Sequence, residues 1–266
     1  MIDIILWTKN RSPQCDLNLR STKKYFKNVG KIFILYQGNT EKFQKGYEKL
    51  MAKDYGFDIR YIPQDNFEID IKTILSLSQS KYILGQSDDN VFIDNVDLPD
   101  DFELPKDTVQ FSLRLGLNHT YCQTANIQMT PPHFVDVNDM IKWDWTKAGH
   151  GDYGYPHNCD SGIYNRQYWL DLIKSAEFKN PRYLEIYMDN HRPSNKPYMM
   201  SFKNCKLLSI CANTVYSEDF ELPNMHISTE SMNERWLNGE QIQIPIIKEV
   251  HQCHLPLEYI WEFQNA

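Results

Sequence analysis

The sequence predicts an α/β fold with a mostly parallel central sheet. Two observations predict it: strand-like and helix-like segments alternate through the first hundred residues, and polar turns separate them. Strands that alternate with helices pair in parallel, because each helix carries the chain back across the sheet. Neither an internal repeat nor a low-complexity linker interrupts the chain. We therefore predict a single domain over residues 1–266, with an N-terminal half at 1–100 and an irregular C-terminal half at 101–266.

The first half contains four strand patterns, each rich in isoleucine, leucine, phenylalanine or tyrosine. Helices are expected at residues 14–27 and 40–55, and a third helix begins after Asp65 or Asn66, either of which can cap it. The strands are expected at residues 2–7, 31–36, 57–62 and 81–84.

The second half is less regular. We expect a strand at 109–116, a helix at 167–178, a loop-rich stretch at 180–205 and a short helix at 228–237. Residues 118–160 are rich in Asn, His, Pro, Tyr and Gly. An irregular stretch of this length inside a compact domain is typical of a binding loop or lid.

The charge balance argues against a nucleic-acid partner. The chain has 28 basic and 35 acidic residues, which gives a formal net charge of −7. Proteins that bind nucleic acid normally carry a basic excess that neutralises phosphates. No nucleic-acid partner is therefore expected.

The same sequence favours the cytoplasm. A membrane-spanning helix needs about 20 consecutive apolar residues, and the apolar runs here are far shorter, so membrane contact is expected to be peripheral at most. The first residues lack the basic segment and the cleavage site of a signal peptide. None of the six cysteines forms a C-x-x-C pair, which is typical of reduced, buried thiols.

The turns after strands one, two and four are expected to meet. The carboxyl ends of parallel strands lie at one edge of the sheet, where ligands bind in a crevice. Two adjacent carboxylates after the fourth strand are electrostatically costly unless a cation neutralises them, and a divalent ion with oxygen ligands would do so. An exposed acidic turn or a helix cap is the alternative. The residues concerned are Thr8, Lys9, Asn10, Arg11, Gly38, Asp88, Asp89 and Asn90.

Two segments resemble motifs of the GT-A fold glycosyltransferases of the family 2 type. Ile4–Arg11 is similar to the first-strand motif of that family, with Trp7 where a proline is usual. Tyr82–Ile93 resembles the strand and Asp-x-Asp (DXD) segment that binds the metal and the donor diphosphate. Segments at 111–116, 155–164 and 233–239 resemble a group of poorly characterised bacterial members, so the resemblance covers most of the chain.

The resemblance implies a single Rossmann-like GT-A domain with glycosyltransferase activity. A nucleotide-sugar donor would bind the first half, and a glycan or lipid-linked saccharide acceptor the second. Mn²⁺ or Mg²⁺ would bind the Asp-Asp motif. The implied donor-binding residues are Thr8, Lys9, Asn10, Arg11, Gly38, Asp88 and Arg114. The implied metal ligands are Asp88, Asp89 and Asn90, with His226 preferred over His191 as a later ligand.

Two departures from the family pattern affect these expectations. The second strand of the family usually ends in Asp-Asp-Gly-Ser, whereas Tyr36–Asn39 keeps only the glycine. The Asp-x-Asp motif also lacks one carboxylate, which leaves metal-independent binding open. We expect Asp88→Ala or Asp89→Ala to abolish donor turnover and leave the fold intact.

Asp160 is the candidate general base, because an inverting transfer needs a group that removes the proton of the acceptor hydroxyl. In a retaining transfer it would instead contact a sugar hydroxyl, and as a purely structural residue it or Ser161 would cap the following helix. The aromatic side chains of Tyr153, Tyr155 and Trp145 are expected to stack on the acceptor.

Arg114 lies within an apolar strand and therefore needs an anionic partner. A phosphate of the donor, or Asp88 or Asp89, is the expected partner. A non-catalytic carbohydrate-binding protein on a degenerate transferase scaffold is an alternative function, motivated by the missing carboxylates. A sugar-1-phosphate nucleotidyltransferase ranks behind both, because the turn at 8–13 has no glycine.

Overall fold

The structure is a computed structural model that describes residues 1–210, 212–213, 215, 227–247, 249–254 and 261–265. The helices are α1 Ser12–Tyr25, α2 Glu41–Met51, α3 Phe67–Leu77, α4 Arg166–Ile173, α5 Pro181–Asn190 and α6 Thr229–Leu237. The strands are β1 Ile2–Lys9, β2 Val29–Gln37, β3 Asp58–Pro63, β4 Tyr82–Ser87, β5 Asn90–Phe92, β6 Thr108–Ser112, β7 Tyr121–Cys122, β8 Ile127–Gln128, β9 Val135–Val137, β10 Met140–Asp144, β11 Gly162–Asn165, β12 Tyr198–Phe202, β13 Leu207–Ser209, β14 Glu240–Ile242 and β15 Phe263–Asn265.

One large sheet organises the described residues. Its strand order is β3-β2-β1-β4-β11-β6-β12-β10-β9, so strands from both halves of the chain share it. The strands β1 to β4 pair in parallel, whereas β11 lies antiparallel to both β4 and β6, and β10 is antiparallel to both β9 and β12. Only β10 and β11 run against the other strands of this sheet. The prediction of an α/β fold with a mostly parallel sheet is therefore confirmed.

Alternation along β1 explains the layers on either side of the sheet. Ile4 and Leu6 pack into the core that contains Leu19 of α1 and Leu50 of α2. Ile5 and Trp7 point to the opposite face, where they join the core that contains residues of α3, α4 and α5. Successive side chains of a strand face opposite sides of a sheet, so a continuous apolar run fits a strand that is covered on both faces.

Two predicted features of the second half are wrong. The stretch at 180–205 contains α5 and β12. Pro181 occupies the first turn of α5, where its missing N–H is not needed, and the side chain of Asn180 caps the helix by accepting a hydrogen bond from the Tyr183 N–H. Asn165, rather than Asp160 or Ser161, caps α4.

No helix in the described part of the chain is both long and apolar enough to cross a bilayer.

Candidate functional site

The turns after β1 and β2 meet at the carboxyl edge of the sheet. The Asn10 N–H donates to the carbonyl of Gln37 over 2.9 Å, and the Asn39 N–H donates to the side-chain oxygen of Asn10 over 2.8 Å. Asn10 adopts a left-handed conformation with a φ of 56°, which asparagine tolerates better than most residues. Gly38 follows β2, and its carbonyl accepts a hydrogen bond from the Gln44 side chain over 2.8 Å. The predicted convergence of these turns is confirmed.

Arg11 brings the turn after β4 to the same edge. Its Nη1 lies 2.9 Å from Asp88 Oδ1 and 3.6 Å from Asp89 Oδ2. Its Nε donates to the side-chain oxygen of Asn213 over 2.8 Å, and its Nη2 donates to the Asn213 carbonyl. Arg11 is only 7% exposed and Asp88 only 4%. The cation that compensates the two adjacent carboxylates is therefore this buried guanidinium.

Asp88 is held by further hydrogen bonds. Burial raises the pKa of Asp88, and the charge and hydrogen bond of Arg11, with hydrogen bonds from the Thr8 side chain and the Lys9 backbone N–H, oppose this rise. Thr8 Oγ1 also lies 2.8 Å from the hydroxyl of Tyr47 in α2. The contacts of Asp88 thus link the turn after β4 to the end of β1.

Asp89 and Asp160 share a hydroxyl group. Ser87 Oγ lies 2.8 Å from Asp160 Oδ1 and also makes a hydrogen bond to Asp89. A serine hydroxyl has one proton, so it satisfies only one of two ionised carboxylates at a time. Burial, reinforced by the charge of Asp160, raises the pKa of Asp89 to about 6. This corner of the site therefore favours a proton or another positive group.

Asp160 itself lies within hydrogen-bond distance of three donors, one of which, Ser87 Oγ, it shares with Asp89. Besides Ser87 Oγ, these are the Ser87 N–H at 3.2 Å and Ser209 Oγ at 3.0 Å. The next residue, Ser161, has a φ of 80°, a strained conformation for serine, and its N–H donates to the Gly85 carbonyl over 2.8 Å. The structure therefore holds the Asp160 carboxylate in one position.

The predicted metal ligands do not converge on one point. Asp88 pairs with Arg11, and Asn90 uses both ends of its amide: Oδ1 accepts from the Ser87 N–H over 3.1 Å, and Nδ2 donates to Ser209 Oγ over 3.0 Å. Within the described residues, no three His, Cys, Asp or Glu side chains are arranged to hold a metal ion. His226 lies outside the described residues. The side chains present therefore do not fit a resident divalent cation.

A cavity of about 620 Å³ opens beside Asp160. Its walls include Arg114, Asp152, Tyr155, Glu185 and His254. Arg114 Nη2 lies 3.5 Å from Asp152 Oδ1, so the partner of Arg114 is Asp152, and the expectation that it pairs with Asp88 or Asp89 is wrong. The buried Asp152 Oδ2 has no hydrogen-bond partner among the residues that the structure describes. Asp152 thus adds a buried carboxylate to the wall of the cavity.

The structure corrects two of the three predicted acceptor contacts. Tyr153 is 1% exposed, and its hydroxyl donates to the Gly116 carbonyl over 2.6 Å. Trp145 is 7% exposed, and its indole N–H donates to the Lys196 carbonyl over 2.7 Å. Both rings fill the core, because their polar atoms find backbone partners there. Tyr155 lines the cavity and stays a candidate contact.

Several residues of the site were not predicted, among them Asp152, Asn213, Ser209, Glu185 and His254. Asn213 contacts Arg11 and Ser209 contacts Asp160, and each pair is far apart in the sequence, so no local sequence pattern indicates it. Glu185 lies in α5, a helix that we did not predict because the prolines of the stretch at 180–205 indicated loops. His254 had a signal, because it ends the segment His251–His254, which is rich in metal-ligand types; in the structure it lines the cavity instead.

The comparison with curated proteins finds a glycosyltransferase. The chain is 24% identical over 183 residues to the bifunctional glycosyltransferase pgtA of Dictyostelium discoideum, which corresponds to 61% of this chain and 24% of that protein. The chain resembles glycosyltransferases. It spans about a quarter of the length of this relative, and no family model matches it. The similarity confirms the resemblance seen in the residue motifs, while the bacterial group stays a prediction.

Solved structures with partial similarity are also glycosyltransferases. GlyE of Streptococcus pneumoniae TIGR4 matches at 13% identity and a TM-score of 0.40, over 76% of this chain and 45% of that one. The galactosyltransferase LgtC in complex with donor and acceptor sugar analogs matches at 13% identity and a TM-score of 0.40, over 74% of this chain and 68% of that one.

Proposed function

We propose that the chain is a glycosyltransferase that moves a sugar from a nucleotide-sugar donor to a hydroxyl of a glycan or lipid-linked saccharide. The observation that carries this proposal is the cavity beside the carboxyl end of β4, which Asp160 links to the Asp-Asp turn. Its charged walls combine carboxylates, which accept hydrogen bonds from sugar hydroxyls, with the guanidinium of Arg114, which donates them. Such a mixture suits a neutral polyhydroxyl ligand.

The donor would lie along the edge formed by the turns after β1 and β2. Lys9, Asn10 and Gly38 border this edge, and we propose that they contact the nucleotide. Arg11 and Asp88 are buried beneath them and would fix the turns rather than touch the nucleotide. Arg114 is 8% exposed and faces the cavity, where its charge would stabilise the departing diphosphate.

Asp160 would contact a hydroxyl of the bound sugar. Hydrogen bonds from Ser87 and Ser209 hold the Asp160 carboxylate in one position, where it can accept a further hydrogen bond from a ligand. Of the two roles that the sequence left open, the geometry favours contact with a hydroxyl. Tyr155 would pack against the acceptor at the opposite wall.

A divalent cation, Mn²⁺ or Mg²⁺, stays a prediction from the sequence. Two of its expected ligands, Asp88 and Asn90, already bind other groups of the protein. No step of the proposed reaction therefore depends on the cation. Cytoplasmic location, a lipid-linked acceptor and peripheral membrane contact likewise stay predictions.

A non-catalytic carbohydrate-binding protein is the second candidate. The observation that favours it is the Arg11–Asp88 ion pair, which occupies a motif that in the resembling family binds the donor metal. Such a protein would bind glycans in the cavity and ignore nucleotide sugars.

Calorimetry and a turnover assay separate the two candidates. Purified chain is titrated with UDP-glucose, UDP-galactose, UDP-N-acetylglucosamine and GDP-mannose, and release of nucleoside diphosphate is followed for each. Saturable binding and turnover of at least one donor are expected. Glycan binding without donor binding or turnover would support the carbohydrate-binding protein instead.

A further inference from the structure

Glu185 is a third carboxylate in the cavity, besides Asp152 and Asp160. It lies in α5 and lines the same cavity as Asp160 and Arg114. Its Oε1 accepts a hydrogen bond from the Cys159 N–H over 3.3 Å. Because Cys159 directly precedes Asp160, one short segment positions the carboxylates of Asp160 and Glu185 relative to each other.

The helix gives Glu185 a fixed position. Its neighbours in the sequence, Leu184 and the more distant Met188, are fully buried in the core that covers this face of the sheet. Asn180 caps the first turn of the helix. Rigid elements hold a reacting group more precisely than loops do, so α5 can present one carboxylate oxygen to the cavity.

The carboxylates of Asp160 and Glu185 differ in what already binds them. Asp160 lies within hydrogen-bond distance of three donors, at 2.8 to 3.2 Å, one of which it shares with Asp89. Within the described part of the chain, Glu185 accepts one long hydrogen bond, from the Cys159 N–H over 3.3 Å. An ionised carboxylate can accept several hydrogen bonds, so Glu185 keeps acceptor capacity for the hydroxyl of a ligand.

The charges around Glu185 act on its pKa in both directions. Burial raises the pKa of Glu185 to about 7, the guanidinium of Arg114 opposes this rise, and the carboxylates of Asp160 and Asp189 add to it. The other titratable groups that line the cavity are Asp152, Arg182, His254, Tyr155, Tyr183 and Cys122. A general base works best when its pKa lies near the operating pH.

We propose that Glu185 is the general base of an inverting glycosyl transfer, an assignment that rests on the proposed function. Glu185 accepts the proton of the attacking hydroxyl, whose oxygen forms a bond to the anomeric carbon of the donor sugar. The bond from that carbon to the diphosphate oxygen breaks, and its electron pair leaves with the nucleoside diphosphate. Direct displacement inverts the anomeric carbon, and the proton stays on Glu185 until solvent removes it.

Water can replace the acceptor in a test, so the acceptor need not be known. Hydrolysis of the four nucleotide sugars named above is measured for the wild type, Glu185→Gln, Glu185→Asp and Asp160→Asn. Loss of a general base lowers kcat by roughly 10²- to 10⁴-fold, so Glu185→Gln should lose this much activity and also the acidic limb of the pH profile. Donor KM should change little, and Glu185→Asp should recover part of the rate.

A matched control and a stereochemical readout complete the test. Glu48→Gln makes the same substitution at an exposed position of α2 and should leave the rate unchanged. Proton NMR should show that the sugar is first released with inverted anomeric configuration. Folding of each variant is checked by its thermal midpoint.

The outcomes distinguish this assignment from the proposed function. Full hydrolysis by folded Glu185→Gln, or release of sugar with retained configuration, overturns the role of Glu185 and leaves the transferase proposal standing. A wild-type chain that neither binds nor hydrolyses any of the four donors overturns the proposed function and the assignment with it.

Discussion

Arg11 donates a hydrogen bond of 2.9 Å to Asp88, and this pair ties the turn after β1 to the turn after β4. Both side chains are buried, so each charge depends on the other. Removing one partner of a buried ion pair leaves an uncompensated charge, which typically destabilises a protein by about 3–5 kcal/mol.

Arg11→Gln should therefore lower the free energy of unfolding by about 3–5 kcal/mol. Asp88→Asn should do the same, which replaces the expectation that the Asp88 variant keeps its fold intact. The double variant should recover much of the loss. Denaturant unfolding measures these values, with Lys31→Gln as a control in the exposed Lys31–Asp58 pair. Equal stability of Arg11→Gln and the wild type would contradict the role of the pair.

Removal of divalent ions should have little effect on the wild type. Arg11 already compensates Asp88, so a chelator should leave the thermal midpoint and the donor affinity nearly unchanged. In Arg11→Gln, Mn²⁺ should raise the midpoint, because the ion can replace the lost positive charge beside Asp88 and Asp89. Scanning calorimetry with Mn²⁺ or chelator measures both. Loss of donor binding by the wild type in chelator would restore the metal site predicted from the sequence.

Gly85→Ala should disturb the position of Asp160. A Cβ at residue 85 would lie 2.4 Å from the Cys159 carbonyl oxygen and 3.0 Å from the Trp169 ring. Overpacking of this kind typically costs about 1–3 kcal/mol, and here it pushes away the segment that carries Asp160. Thermal unfolding and donor hydrolysis should both decline. An unchanged rate would show that the site tolerates movement of this segment.

Stability should fall on acidification through the histidine range. His157 is fully buried, and burial lowers its pKa to about 4. The unfolded chain takes up a proton near pH 6.5 and the folded chain does not, so the contribution of His157 is complete above pH 6.5 and is lost as the pH falls toward 4.

The size of this effect is up to about 3 kcal/mol, at 1.36 kcal/mol per pKa unit. His157→Gln should reduce the slope of stability between pH 6.5 and 4, and exposed His150→Gln should not. Burial also lowers the pKa of His119 and His254, so part of the slope should remain. Unfolding curves across this pH range measure it. An unchanged slope in His157→Gln would place the pH dependence elsewhere.

The sheet and the meeting of its turns could be predicted because they follow from local patterns. Strand-length apolar runs and the cap at Asn66 lie in contiguous sequence, and parallel pairing then places Asn10 beside Gln37. Helix α5 was missed because Pro181 also indicates a loop. Proline breaks the interior of a helix, but it is favoured in the first turn, where Pro181 lies.

The candidate site was harder to predict, because its partners are set by packing. The Asp88-Asp89 pair did indicate a neighbouring positive charge. The sequence does not show that this charge is Arg11, because the turn after β1 comes close only in the folded chain. Asn213 reaches Arg11 from 202 residues away. Tyr153 and Trp145 are aromatic residues of the kind that stack on sugars. Only their burial in the structure shows that they belong to the core.

The strand order has a consequence for synthesis of the chain. Strand β11 lies between β4 and β6 in the sheet, yet it follows both in the sequence. While the ribosome makes the intervening residues, the edge of β4 has no partner, and such unpaired edges promote aggregation. We therefore expect the nascent first half to be prone to aggregation until β11 pairs with β4.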